Sequence, residues 1–408
     1  MRYSCKMLEL AAIRDAAAIL KGRIRRTELI HSNYFSERLG HPLHFKCENL
    51  QRTGSFKIRG ALNFLAHHRP ESLQCGVITA SAGNHAQGVA LAARQMKIPA
   101  LVVMPENTPL AKILATRDYE AEVTLHGATF DDAAERAREL EREKGMVYVP
   151  AFDHPLIMAG QGTVGLEILE DLPDAETLMV PIGGGGLIAG IATAAKGINP
   201  RIRIVGVEAA GAPCALLSRR KGSLATLTAA RSLADGIVVK RLGEETFPVI
   251  EALVDDIVTV EEEEIAQAIV SLMEKGKLVV EGAGAVSLAA LLYGSRTKSC
   301  GRTVCLLSGG NIDVQTIARV VERGMVAEGR FLKVKVELLD APGSLARLAT
   351  MLAGEGANIF HVSHDRRSAG LHLGRAEVHL ELETRGPEHI REILHLLKRE
   401  GYGATLVR

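Results

Sequence analysis

The sequence predicts an α/β fold, with two open parallel sheets clad in helices followed by a smaller α+β module. Three observations carry this. From Gly76 to Val149, apolar runs of strand length alternate with helical stretches. From Leu178 to Leu307 the same rhythm starts again. Alternation of this kind marks βαβ units and a parallel sheet. Past Glu328 the order becomes strand, helix, strand, strand, helix, strand, which is the ferredoxin-like plan. A chain of 408 residues is too long for one ordinary domain. The expected division is 1–325, holding a smaller α/β subdomain over about 55–150, and 330–408.

Residues 8–20 space their apolar positions as a helix does. Pro42 to Lys46 predicts a short strand. Ala61 to Leu65 predicts helix, and Thr53, Gly54 and Ser55 before it form a turn able to cap a helix start. Strands are expected at Val77–Ala80, Leu101–Met104, Glu122–Leu125 and Met146–Val149. Helices over Ala86–Met96, Ala111–Arg117 and Asp131–Glu143 separate them. The second series places strands at Leu178–Ile182, Arg203–Glu208, near Ile257–Val260 and at Thr303–Leu307. Thr259-x-x-Glu262 fits a capping box for the helix that follows. In the module, strands are expected at Phe331–Leu339, Asn358–Asp365, Arg375–Glu383 and Ala404–Val407, with helices ending near Gly354 and over Pro387–Glu400. Two parallel-sheet units leave a cleft where the carboxyl ends of their strands meet.

Composition narrows the function. Apolar residues make up 47% and charged residues 24%, as in ordinary globular chains. A net charge of +1 gives no reason to expect nucleic acid or an anionic membrane as partner. Met1 to Lys6 lack the apolar core of a signal peptide, and no apolar run approaches the about 18 residues a membrane span needs. Cysteines at 5, 47, 75, 214, 300 and 305 form no C-x-x-C pair, which points to reduced thiols in the cytoplasm. No zinc-ligand spacing is present, and His361-x-x-His364-Asp365 reads as a solvated strand face. No metal is expected.

The chemistry centres on Lys57. It falls in the first turn of a helix, where the dipole opposes positive charge, between apolar Phe56 and Ile58. Both effects lower an ammonium pKa, as an amine nucleophile requires. Ser81-Ala82-Gly83-Asn84-His85 follows a strand and opens a helix, so its N–H groups form an anion site suited to a carboxylate. Gly183-Gly184-Gly185-Gly186-Leu187 stands in the same relation to the next unit, and bare amides there cradle phosphate. Gly184-x-Gly186-x-x-Ala189, with Glu208 ending the next strand, also fits a dinucleotide fingerprint. A nicotinamide-dependent oxidoreductase is therefore the rival from another class. That rival gives no role to Lys57 or to the Asn84 loop. Leu306-Leu307-Ser308-Gly309-Gly310-Asn311 is a strand end with a glycine turn.

Lys46-x-Glu48-x-x-Gln51-x-Thr53-Gly54-Ser55-Phe56-Lys57-x-Arg59-Gly60-Ala61 closely resembles the cofactor-lysine motif of the threonine and serine dehydratases. These are pyridoxal-phosphate enzymes built like the tryptophan synthase β subunit (fold type II). The resemblance implies that Lys57 carries pyridoxal 5'-phosphate covalently. It implies that Gly183 to Leu187 cup the cofactor phosphate, Asn84 meets the ring hydroxyl, Ser308 meets the ring nitrogen and Phe56 lies beside the ring. Ser81 to His85 would bind the substrate carboxylate. Glu281-Gly282-Ala283-Gly284-Ala285 resembles a family segment with an acidic residue near the cofactor. Related racemases hold a cation near the stretch matching Glu208 to Cys214, but Cys214 stands where an acidic ligand is expected. They also carry a second serine where Ala82 stands here, which favours a dehydratase over a racemase. Asp340-x-Pro342-Gly343-x-Leu345 is similar to the opening of an ACT domain, a module that binds free amino acids. The resemblance implies β-elimination of L-threonine to 2-oxobutanoate and ammonia, with L-serine as a further substrate. It also implies isoleucine or valine as effector and a homodimer or homotetramer.

Overall fold

The computed structural model describes residues 7–294, 301–367 and 371–407. Cys5 and Cys300, and the stretch from Met1 to Lys6, lie outside the described residues. The chain forms two compact units, one running to Val314 and one from Gln315.

The first unit holds two sheets. Strands β1 (Leu29–His31), β2 (Leu43–Cys47), β3 (Val77–Ala80), β4 (Ala100–Met104), β5 (Glu122–Leu125) and β6 (Val147–Tyr148) come first. They are followed by β7 (Thr177–Pro181), β8 (Arg203–Ala209), β9 (Asp256–Val260) and β10 (Thr303–Leu307). The smaller sheet has the order β5-β4-β3-β6, all parallel. The larger has the order β1-β2-β10-β7-β8-β9, parallel except for β1 against β2. Both are covered on two faces, so their central strands are mostly apolar: β3, β7 and β10 are buried along their whole length, with one threonine each. The chain leaves the larger sheet after β2, builds the smaller one, and returns through the helix Pro155–Asp171 to β7.

Two local expectations are corrected. Ser55 does not cap the lysine helix; that helix starts from Phe56 without a side-chain cap. Ser55 instead bridges to Gly309, and its buried hydroxyl has no protein partner. The capping box before the helix Glu262–Ser271 is made by Glu261 and Glu264, because Thr259 still belongs to β9.

The second unit contains β11 (Phe331–Leu339), β12 (Asn358–Asp365), β13 (Arg375–Glu383) and β14 (Gly403–Leu406) in the antiparallel order β12-β13-β11-β14. Alternation along β11 and β13 puts Val334, Val336, Val378 and Leu380 on one face, against Leu348 and Leu352 of one helix and Ile393 and Leu397 of another. The helix Val314–Ala327 lies almost wholly within this unit. His361 and His364 lie on exposed β12.

Candidate active site

A cleft opens where β3, β6, β7 and β10 end, lined by Phe56, Lys57, Asn84, Gly183 to Leu187, Glu281 and Ser308 among others. Segments more than 250 residues apart in sequence thus meet at one place. Lys57 is the first residue of the helix Lys57–Ala66, and its Nζ donates to the Ala151 carbonyl at 2.9 Å. Burial, the larger cause, pulls its pKa down from 10.5 to about 8, while the Glu281 carboxylate pulls the other way. The Phe56 ring lies 5.3 Å from Nζ.

The charged residues around Lys57 in the sequence do not face the cleft. Arg59, fully buried, donates to both oxygens of Glu48 at 2.7 and 2.9 Å and to both oxygens of Glu167 at 2.7 and 2.9 Å. Lys46, also fully buried, reaches Glu167 at 2.6 Å. Burial opposes the charge on Glu48, but Arg59 overrides it and holds that carboxyl below its ordinary value. This closed set of two cations and two anions ties β2, the lysine helix and the helix Pro155–Asp171 together. Gln161 of the latter helix accepts from the Gly60 amide at 3.2 Å.

The glycine run behaves as bare backbone must. Gly185 has φ +96°, and the helix Gly186–Ile198 that follows has no side-chain cap. A Cβ on Gly184 would lie 2.3 Å from the Phe152 ring, and one on Gly186 would lie 2.7 Å from the Phe152 carbonyl. Only glycine fits between Phe152 and the cleft, and the amides at the helix start keep their donors for an anion.

The segment Ser81 to His85 divides. Ser81 donates its amide to Val103, and its hydroxyl accepts from the Gly83 amide at 3.2 Å, so two of the loop's donors are already used. A Cβ on Gly83 would meet nothing within 4 Å, which leaves open space at the uncapped start of the helix Asn84–Met96. Ala82 lies half-buried in this loop. His85 turns its ring into the core, with Nε2 3.0 Å from the Val149 carbonyl. Burial, and secondarily the Lys57 charge, lower its pKa to about 3, so the ring is a neutral donor and only its amide remains for a ligand. Of the five residues, only Asn84 lines the cleft.

Ser308 is buried at the end of β10, with Oγ donating to Ala283 at 3.3 Å and the backbone carbonyl accepting from Phe56. Glu281, 4% exposed, accepts from Asn84 Nδ2 at 2.6 Å. Burial lifts its carboxyl to about 7 and Asp235 adds to the rise, against the Asn84 hydrogen bond and the cations Lys112 and Lys57. Ala151, Phe152 and Gln161 were not legible as site residues, because they reach the cleft only after the helix Pro155–Asp171 has packed beside the lysine helix. Glu208 has no room for a ribose. Its carboxylate is fully buried and accepts from the Ala215 and Leu216 amides at 2.7 and 2.8 Å, which removes the dinucleotide reading.

The cleft fits pyridoxal phosphate on its own geometry. It joins an amine of depressed pKa, an uncapped glycine-lined helix start for a dianion, and polar side chains between them.

Comparison with known proteins agrees. The chain is 59% identical over 396 residues to an L-threonine ammonia-lyase of Geobacter sulfurreducens, covering 97% of this chain and 98% of that one. Among solved structures, maize serine racemase superposes with a TM-score of 0.75 at 36% identity, covering 79% of this chain and all of that one. Processed threonine deaminase isoform 2 of Solanum lycopersicum superposes with a TM-score of 0.74 at 39% identity, covering 78% and 95%. The family model for pyridoxal-phosphate dependent enzymes matches residues 20–309, a span that contains every cleft residue described above, and the chain belongs to that family.

Proposed function

We propose that this protein is an L-threonine ammonia-lyase that converts L-threonine to 2-oxobutanoate and ammonia, and L-serine to pyruvate and ammonia. The observation that carries this is the near full-length similarity to the Geobacter enzyme of that name. Bound pyridoxal phosphate supplies an electron sink for negative charge at the substrate Cα. Gly183 to Leu187 would hold its phosphate on backbone amides, Asn84 its ring hydroxyl and Ser308 its ring nitrogen, with Phe56 beside the ring. A neutral serine hydroxyl stabilises a protonated ring nitrogen less than a carboxylate does, which suits elimination better than transamination. The free amides of the Ser81–His85 segment bind the substrate carboxylate. Lys57 Nζ, whose burial favours the neutral amine, would take the Cα proton, and the Cβ hydroxyl would leave as water.

A serine racemase reading has one observation in its favour, the superposition on the maize enzyme. Racemisation needs an acid–base group on the face opposite Lys57, and the methyl of Ala82 holds no proton. Incubation with L-threonine and L-serine in parallel separates the two, with keto acid and D-serine both measured. D-serine accumulating faster than pyruvate would reverse the assignment.

Residues 1–325 form the catalytic part and 330–408 an amino-acid-binding ACT-type regulatory domain, whose effector is isoleucine or valine. The turn Asp340-x-Pro342-Gly343-x-Leu345 and the βαββαβ order support this. The enzyme is a homodimer or homotetramer of the cytoplasm. Free Cys47, Cys75, Cys214 and Cys305 suit a reducing compartment, and among the described residues no helix is long and apolar enough to cross a membrane.

A further inference from the structure

Four groups from separate parts of the first unit form a line of hydrogen bonds beside Lys57. Asn311 Nδ2 donates to the Thr53 carbonyl at 2.7 Å and to Asn84 Oδ1 at 2.8 Å. Asn84 Nδ2 then donates to Glu281 Oε1 at 2.6 Å. The direction of this line follows from its first member. A backbone carbonyl can only accept, so the Asn311 atom facing Thr53 must be its nitrogen. That nitrogen has two hydrogens, and both are used. The end of Asn84 that faces it must therefore be oxygen, and the other end, facing Glu281, must be nitrogen. Reversing Asn84 would set two NH2 groups against each other and an amide oxygen against a carboxylate. Asn311 is held in turn by the loop before Lys57: a Cβ on Gly54 would fall 2.2 Å from Asn311 Oδ1, and Gly54 sits at φ +68°.

Asn84 Nδ2 carries a second hydrogen that the line does not use, and Asn84 lines the cleft. We infer that Asn311 and Glu281 are positioning residues that lock the Asn84 amide in one orientation, so that it offers the cleft an N–H and never a carbonyl. A ligand oxygen beside Asn84 is then bound as an acceptor, favouring its ionised form. This rests on the pyridoxal-phosphate reading, since that oxygen is the cofactor's ring oxygen. Neither residue needs to touch the reacting atoms.

Two variant sets test it in full-length protein. Asn311→Asp keeps the shape and replaces the double donor with an acceptor. Cofactor affinity should fall by about tenfold or more, as for a buried donor left unmatched. The visible absorption of the loaded protein should weaken in favour of the near-ultraviolet band, because ring-oxygen ionisation sets their ratio. Glu281→Gln keeps an acceptor for Asn84 and should leave the spectrum unchanged at neutral pH, whereas Glu281→Leu should shift it as Asn311→Asp does. In apo-protein labelled at asparagine, the Asn84 Nδ2 hydrogen held by Glu281 should exchange slowly with solvent and lose that protection in Asn311→Asp and Glu281→Leu. That last readout needs no cofactor. A wild type that stays colourless with protected Asn84 would sink the cofactor reading alone. Unchanged affinity, spectrum and exchange in Asn311→Asp, or in Glu281→Leu should Asn311→Asp not fold, would overturn the lock. Glu281→Gln failing as Glu281→Leu does would remove Glu281 from it.

Discussion

Lys57 has a pKa near 8 because burial disfavours its ammonium, and this has two consequences of known sign. Only the neutral amine attacks an aldehyde, so uptake of pyridoxal phosphate by the apo-protein should accelerate as pH rises through about 8 and level off above it. Stopped-flow absorbance across that range checks this, and a rate independent of pH would contradict it. In apo-protein the unfolded chain binds more protons than the folded one between pH 8 and the ordinary lysine value of 10.5, so Lys57 adds stability as pH rises across that window. Lys57→Ala should abolish turnover, and a variant keeping a tenth of wild-type activity would refute its role. The lysine was legible because its neighbours in sequence already predict a depressed pKa. The relative weights were not. Helix start and apolar neighbours are local, but burial by the Ala151 loop and opposition from Glu281 come from far along the chain and exist only after folding.

Among elements, the glycine loop and the lysine helix are built in opposite ways. The loop works by lacking side chains, and the helix is held by three buried charges and the half-buried Glu167. Gly184→Ala would drive a methyl into the Phe152 ring, an overpacking that costs about 1–3 kcal/mol. Cofactor affinity should fall accordingly, as equilibrium titration would show. Arg59→Met would leave Glu48 buried, and Glu167 half-buried, without their main partner, and urea unfolding should register a loss of about 3–5 kcal/mol. A loss under 1 kcal/mol would mean the network is dispensable. Strand positions were largely readable, since strands buried on both faces are continuous apolar runs. Helix caps were less so. Near Thr259 four consecutive glutamates and a threonine offer several overlapping cap patterns, and where β9 stops decides among them. Glu167 could not be matched to Arg59 from sequence, because 108 residues separate them.

For the whole molecule, the second unit has its own apolar core of Leu332, Val334, Val336, Leu348, Val378, Leu380 and Ile393, so a chain ending at Arg330 loses that core and keeps, of this unit, only the helix Val314–Ala327 and the turn after it. Such a truncation should keep threonine turnover and lose any response to isoleucine or valine. A full-length enzyme indifferent to branched-chain amino acids would remove the regulatory proposal. The two-unit plan was visible in the order of strands and helices. Assignment of the helix Val314–Ala327 was not, because contacts and not sequence pattern decide which body a helix joins.

The route of the chain has a further consequence. It departs from β2 in one sheet, passes Lys57, builds the other sheet, and comes back to β7 beside the glycine loop. On the proposed reading, a cofactor joined to Lys57 and seated on Gly183 to Leu187 would be a staple across that excursion, closing a covalent and polar ring through both halves. Loading should then merge two separate melting events into one, and cofactor stripping should let proteases nick the excursion first.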